Sequence, residues 1–226
     1  MANVRVSGFL PSTNGFSFPN DWPHVPFLEF RVPTGQELKI GDAAGGLCGG
    51  MTFAVKDLFD HARQPPTQTA VPEKGTPLFQ YLIKRAMDSF DIPAGPAKYY
   101  AWMALPDHDL AWVKGVRWRT LHQEWPAVKA DLDAGRTSPL GLVRTRSYNP
   151  GDLGRNHQVL AFGYDLDEPA GTVRVHVYDP NHPGDDSVAI AGATSGSSAF
   201  SYVQGEDPVR GFFRSRFQAS NPPAFS

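Results

Sequence analysis

The feature that most constrains this chain is a change of pattern near residue 136. Before it, apolar residues recur at helical spacing; after it, they gather in short β-branched and aromatic runs. Helices first and strands later predict an α+β fold of one domain, residues 1–226. Its parts are an extended N-terminal arm over 1–44, a mainly helical part over 45–135 and a mainly antiparallel β part over 136–226. With 22 Gly and 21 Pro in 226 residues, many turns and much irregular backbone are expected.

In the helical part, Met51, Ala54, Val55, Leu58 and Phe59 make one apolar stripe from Cys48 to about His61. Thr76-Pro77 is a cap followed by proline in the first turn, and Leu78, Phe79, Leu82, Ile83, Ala86, Met87 and Phe90 carry a second helix to about Phe90. Pro93 and Pro96 should stop it. A short helix over Lys98–Leu105, a strand over Trp112–Arg119, and a helix opening at Glu124-Trp125-Pro126 and ending at Gly135 follow. In the β part, Leu140–Thr145, His157–Tyr164 and Thr172–Tyr178 read as strands, with weaker ones at Ser187–Ile190, Ala199–Val203 and Val209–Phe217. The arm (Phe9, Phe16, Phe18, Trp22) is too aromatic for a disordered tail and should pack on the body.

Composition excludes several functions. A formal charge of −2 and no basic run argue against nucleic acid. No apolar stretch approaches a membrane span and the N-terminus lacks a leader pattern, so a cytoplasmic chain is expected. One cysteine rules out an intrachain disulfide. No phosphate-binding glycine pattern is present, and no cofactor is expected. Asp179-Pro-Asn181-His-Pro-Gly-Asp185-Asp186 groups oxygen ligands but lacks the regular spacing and closing Glu of a calcium loop, so it reads as a polar turn and no metal is expected.

The lone cysteine is flanked by glycines in Gly45-Gly46-Leu47-Cys48-Gly49-Gly50-Met51, where the second part begins. At a helix N-terminus the unpaired N–H groups and the dipole favour a thiolate. A small buried Cys in a glycine-rich cap satisfies the same residues. A hairpin that pairs Tyr164 with Thr172 puts His157 opposite Asp179, with Cβ atoms about 5 Å apart. Such an Asp fixes the tautomer of a His, and the His can activate a thiol.

Gly-Leu-Cys48-Gly-Gly-Met opening a helix resembles the nucleophile region of papain-like cysteine peptidases. Asn156-His157 through Tyr164-Asp165, followed by Val173 through Asp179-Pro180, is similar to the branch that processes bacteriocin leaders at double-glycine sites. The likeness covers about residues 40–60 and 124–181. It implies a papain-like fold, a nucleophile helix packed on an antiparallel sheet, and a hydrolase acting on a peptide or small amide. It implies Cys48 as nucleophile, His157 as base and acid, and Asp179 as orienter, with Asn181 the alternate. The family places an oxyanion-binding Gln six residues before the cysteine, and here that position is Asp42, which would repel an oxyanion. A catalytically silent binding domain and an acyl-transferring enzyme therefore stand beside the hydrolase.

Overall fold

The computed structural model describes residues 1–22, 28–31, 37–40, 47–91, 94–195, 200–204 and 208–225. It is a mixed α/β structure built on a seven-stranded antiparallel sheet. In chain order the elements are β1 (Ala2–Arg5), α1 (Pro11–Asn14), β2 (Leu28–Arg31), β3 (Glu37–Ile40), α2 (Cys48–Asp60), α3 (Pro77–Ser89), α4 (Ala94–Ala104), α5 (Val116–Arg119), α6 (Trp125–Asp133), β4 (Ser138–Val143), β5 (His157–Asp167), β6 (Thr172–Tyr178), β7 (Ala189–Ala193), β8 (Ser201–Tyr202) and β9 (Gly211–Arg214). The sheet runs β8-β7-β6-β5-β4-β9, and β2 and β3 form a separate pair. Among the described residues, no helix is long and apolar enough to cross a membrane.

The centre of the sheet is β5. Its first half pairs with β4 (Leu142 opposite His157) and its second half with β1 (Asn3 opposite Asp165), while β6 runs along its other edge. Consecutive residues of β5 point to opposite faces, and all of them are buried from His157 to Tyr164, so both faces are covered, which accounts for its nearly unbroken apolar run.

Two expectations are corrected here. The β5–β6 register differs from the one expected, because β5 continues to Asp167 and pairs it with Thr172; Tyr164 faces Val175. A bulge between Ala161 and Gly163 shifts the register by one, and Tyr178 faces Leu160. His157 and Asp179 are therefore not a directly opposed pair. The polar Asp165 and Asp167 read as a turn, but β1 and β6 supply their backbone partners. The second correction concerns Trp112–Arg119. Gly115 caps α5 there instead of a strand forming, and Trp112 is 99% exposed. A short apolar window fits a helix or a strand equally, and contacts made far along the chain decided this one.

A π-helical turn (Thr120–Glu124) joins α5 to α6 and covers the free edge of β9. Thr120 Oγ1 accepts from Phe212 N–H and donates to the Phe212 carbonyl, both at 3.0 Å, and Glu124 accepts from Arg214 N–H. The helix expected over Lys98–Leu105 starts earlier, at Ala94, with Pro96 inside its first turn rather than stopping a helix.

The first 22 residues are not merely an extended arm. Besides β1 they form the one-turn α1, and they place Phe9, Phe16, Phe18 and Trp22 in the same core as α2, α3 and the sheet. Trp22 meets Phe79 edge-on at 5.9 Å, which ties this segment to α3. At the other end of the chain, Phe217 packs on Phe53, and Asp57 accepts from Ser220 N–H at 2.8 Å.

Candidate active site

Cys48 is the first residue of α2, and Leu47 before it provides no side-chain cap. The first turn packs closely on its neighbours. A Cβ on Gly50 would stand 2.2 Å from the Leu82 carbonyl oxygen of α3, and one on Gly49 would stand 2.1 Å from Ser89 Oγ. At Gly49 and Gly50 the space is taken by this chain's own α3, so they serve to seat the helix. Thr52 Oγ1 then donates to the Gln158 carbonyl and locks α2 onto β5 one residue beyond His157.

His157 opens β5 and is 5% exposed; Asp179, just beyond β6, is 1% exposed. His157 Nε2 lies 2.7 Å from Asp179 Oδ1. Cys48 lies close enough to act on the same ring. Burial alone would push the imidazole pKa down. The charges of Asp179 and Cys48 and the hydrogen bonds to both more than reverse this, raising it from 6.5 to about 10. The neighbours therefore favour an imidazolium. Asp179 is held below the usual carboxylate range although burial opposes that; His157, the Asn181 N–H and the Tyr202 hydroxyl outweigh it.

The structure thus brings together Cys48, His157 and Asp179, three side chains from the helical and β parts. The Asn181 side chain is turned elsewhere: its Oδ1 accepts from Asn20 Nδ2 at 3.2 Å, and only its backbone N–H reaches Asp179, at 2.8 Å. Asn20 N–H also donates to the Pro180 carbonyl at 2.9 Å, so the N-terminal segment pins the turn that follows Asp179. Asp42, at the position of the expected oxyanion donor, lies outside the described residues, as do Gly45 and Gly46.

Two tyrosines at this site carried no mark in the sequence. Tyr202, from the outer strand β8, donates its hydroxyl to Asp179 Oδ2 at 2.8 Å. Tyr99, from α4, donates to the His157 carbonyl at 3.1 Å, and its own ionisation is strongly suppressed by burial and by the nearby Cys48. Gly141 makes room for it, since a Cβ there would stand 2.5 Å from the Tyr99 hydroxyl oxygen. No sequence spacing announces either contact, because each spans at least 23 residues of chain.

The acidic turn after Asp179 is occupied by protein donors. Asp185 accepts from Ser187 N–H and Oγ, and Asp186 accepts from Ser12 N–H and Oγ. Among the described residues no cluster of three or more His, Cys, Asp or Glu side chains is placed to hold a metal ion. His176 belongs to a different group, 2.7 Å from Asp165 and from Arg5.

Chemically, a thiol, an imidazole and a buried carboxylate grouped in this way can serve as nucleophile, proton carrier and orienting anion. No protein-family model, no curated protein and no solved structure matches this chain.

Proposed function

We propose that the chain is a cysteine-dependent hydrolase of papain-like architecture, acting on a peptide or small amide. The observation that carries the reading is the buried relay in which Asp179 holds His157 Nε2 at 2.7 Å while the ring engages Cys48 at the start of α2. The order of nucleophile helix, His strand and Asp at the end of the next strand supports the architecture.

In this mechanism the Cys48 thiolate attacks the carbonyl carbon and the carbonyl electrons move to oxygen. Backbone N–H groups at the start of α2 stabilise that oxyanion. The His157 imidazolium gives its proton to the leaving amine as the C–N bond breaks, which leaves a thioester on Cys48. Neutral His157 then takes a proton from water. The hydroxide equivalent attacks the thioester, the C–S bond breaks, and the acid leaves with the thiolate and imidazolium restored.

The test is the rate of Cys48 alkylation by iodoacetamide against pH, in the wild type and in His157→Ala. The reading expects rapid alkylation near pH 6 that is lost in the variant, and amide hydrolysis abolished by Cys48→Ala. Alkylation that is negligible at pH 6, rises only above about pH 8 like an ordinary thiol's, and is the same in both proteins overturns it. The fold then serves binding alone.

A further inference from the structure

Asp179 is almost fully enclosed, and a carboxylate in such a place stays ionised only if its lone pairs are met. On Oδ1 it receives His157 Nε2 and the Asn181 N–H; on Oδ2 its side-chain partner is the Tyr202 hydroxyl. Tyr202 is itself 2% exposed, on the outermost strand of the sheet, and its backbone pairs with Ile190 of β7. A buried phenol is energetically tolerable when its hydroxyl finds a partner, and here the partner is the orienting carboxylate.

We propose that Tyr202 is a positioning residue of the Cys48–His157 pair, acting through Asp179; this rests on the hydrolase reading given above. Its O–H fills the Oδ2 side of the carboxylate, fixes the carboxylate plane so that Oδ1 faces His157, and keeps Asp179 ionised into acid. Asp179 in turn keeps His157 protonated and aimed at the sulfur. In this scheme Tyr202 acts through the carboxylate, so its removal should act on the pH range of the pair rather than on the nucleophile itself.

The chemistry gives the sign. Without the hydroxyl, one side of a buried carboxylate loses its donor, and protonation of Asp179 becomes easier. The acid limit of the pair moves up in pH. Hydrogen bonds to charged groups are strong enough for that shift to be about one pH unit or more.

The experiment compares wild type, Tyr202→Phe, Asp179→Asn and the double variant, each checked for folding by circular dichroism. Cys48 alkylation is followed from pH 4.5 to 8, and the His157 ring is titrated by NMR. Expected for Tyr202→Phe are near-wild-type alkylation at pH 8, a loss that grows as pH falls and reaches several-fold at pH 4.5, and an acid limb of the His157 titration moved upward. In the Asp179→Asn background the same change should have no further effect. A uniform loss across the pH range, or an equal loss with and without Asp179, makes Tyr202 a packing residue only and overturns the proposal; so does a profile identical to wild type. If the wild-type sulfur proves unreactive, the hydrolase reading fails, and the His157 titration decides on Tyr202 by itself: a shifted acid limb upholds its action on Asp179, and an unshifted one refutes it.

Discussion

Replacing Asp179 with alanine probes the centre of the site through stability alone. The change leaves His157 buried without its carboxylate and strips the partner from the Tyr202 hydroxyl and the Asn181 N–H. Breaking a buried charged pair by removing one member costs about 3–5 kcal/mol. For a chain of this size that is a fall in Tm of roughly 6–20 °C. The loss must depend on pH in a defined direction. His157 has its folded pKa raised from 6.5 to about 10, so its contribution is complete below pH 6.5 and disappears as pH rises through about 10. Asp179 has its folded pKa lowered, so its contribution is present above the ordinary carboxylate value of about 3.9 and is lost as pH falls through the folded value. The pair therefore stabilises most between about pH 4 and 6.5. Urea denaturation of wild type and Asp179→Ala at about pH 6 and pH 9.5, followed by circular dichroism, measures the difference. A gap of several kcal/mol at pH 6 should narrow by at least about 1 kcal/mol at pH 9.5, since each pKa unit is worth about 1.4 kcal/mol. A gap that is the same at both pH values, or below about 1 kcal/mol at pH 6, would refute the assignment of a buried His157–Asp179 ion pair.

Other outcomes follow from the packing around the site. Gly50→Ala should destabilise by about 1–3 kcal/mol in urea denaturation, because the new Cβ meets a backbone oxygen of α3 at 2.2 Å; the helix-propensity gain of about 1 kcal/mol does not offset it. Asp57 is fully buried, pairs with Arg85 at 2.6 Å and accepts from Tyr81 and from Ser220 N–H. Asp57→Ala should cost about 3–5 kcal/mol and free the C-terminal segment, seen as faster tryptic cleavage at the exposed Arg216. Trp112→Ala, at a side chain 99% exposed, should leave stability within about 0.5 kcal/mol of wild type by the same urea assay.

The two long helices are legible because their signals are local. The stripe from Met51 to Phe59 and the Thr76-Pro77 cap give α2 (Cys48–Asp60) and α3 (Pro77–Ser89) nearly to the residue, and Thr76 Oγ1 does accept from Phe79 N–H. The strand Thr172–Tyr178 is equally legible, since its alternation survives in the burial pattern. The β5–β6 register is not, because a bulge and a polar strand end leave no mark in a single sequence. His157 and Asp179 nevertheless meet, by way of the turn after β6 rather than as opposed neighbours.

By itself, then, the sequence determined where the two long helices and the main strands lie, the α+β order, and which cysteine, histidine and aspartate are worth following. Periodicity, capping and turn chemistry act over a few residues and are written in neighbouring side chains. Only the tertiary structure decided what those side chains meet. It placed Tyr202 of the outer strand on Asp179, Tyr99 of α4 on the His157 backbone, β1 beside β5, and α3 against Gly50. Those contacts join residues far apart in the chain, and their geometry is set by the shared packing of the core.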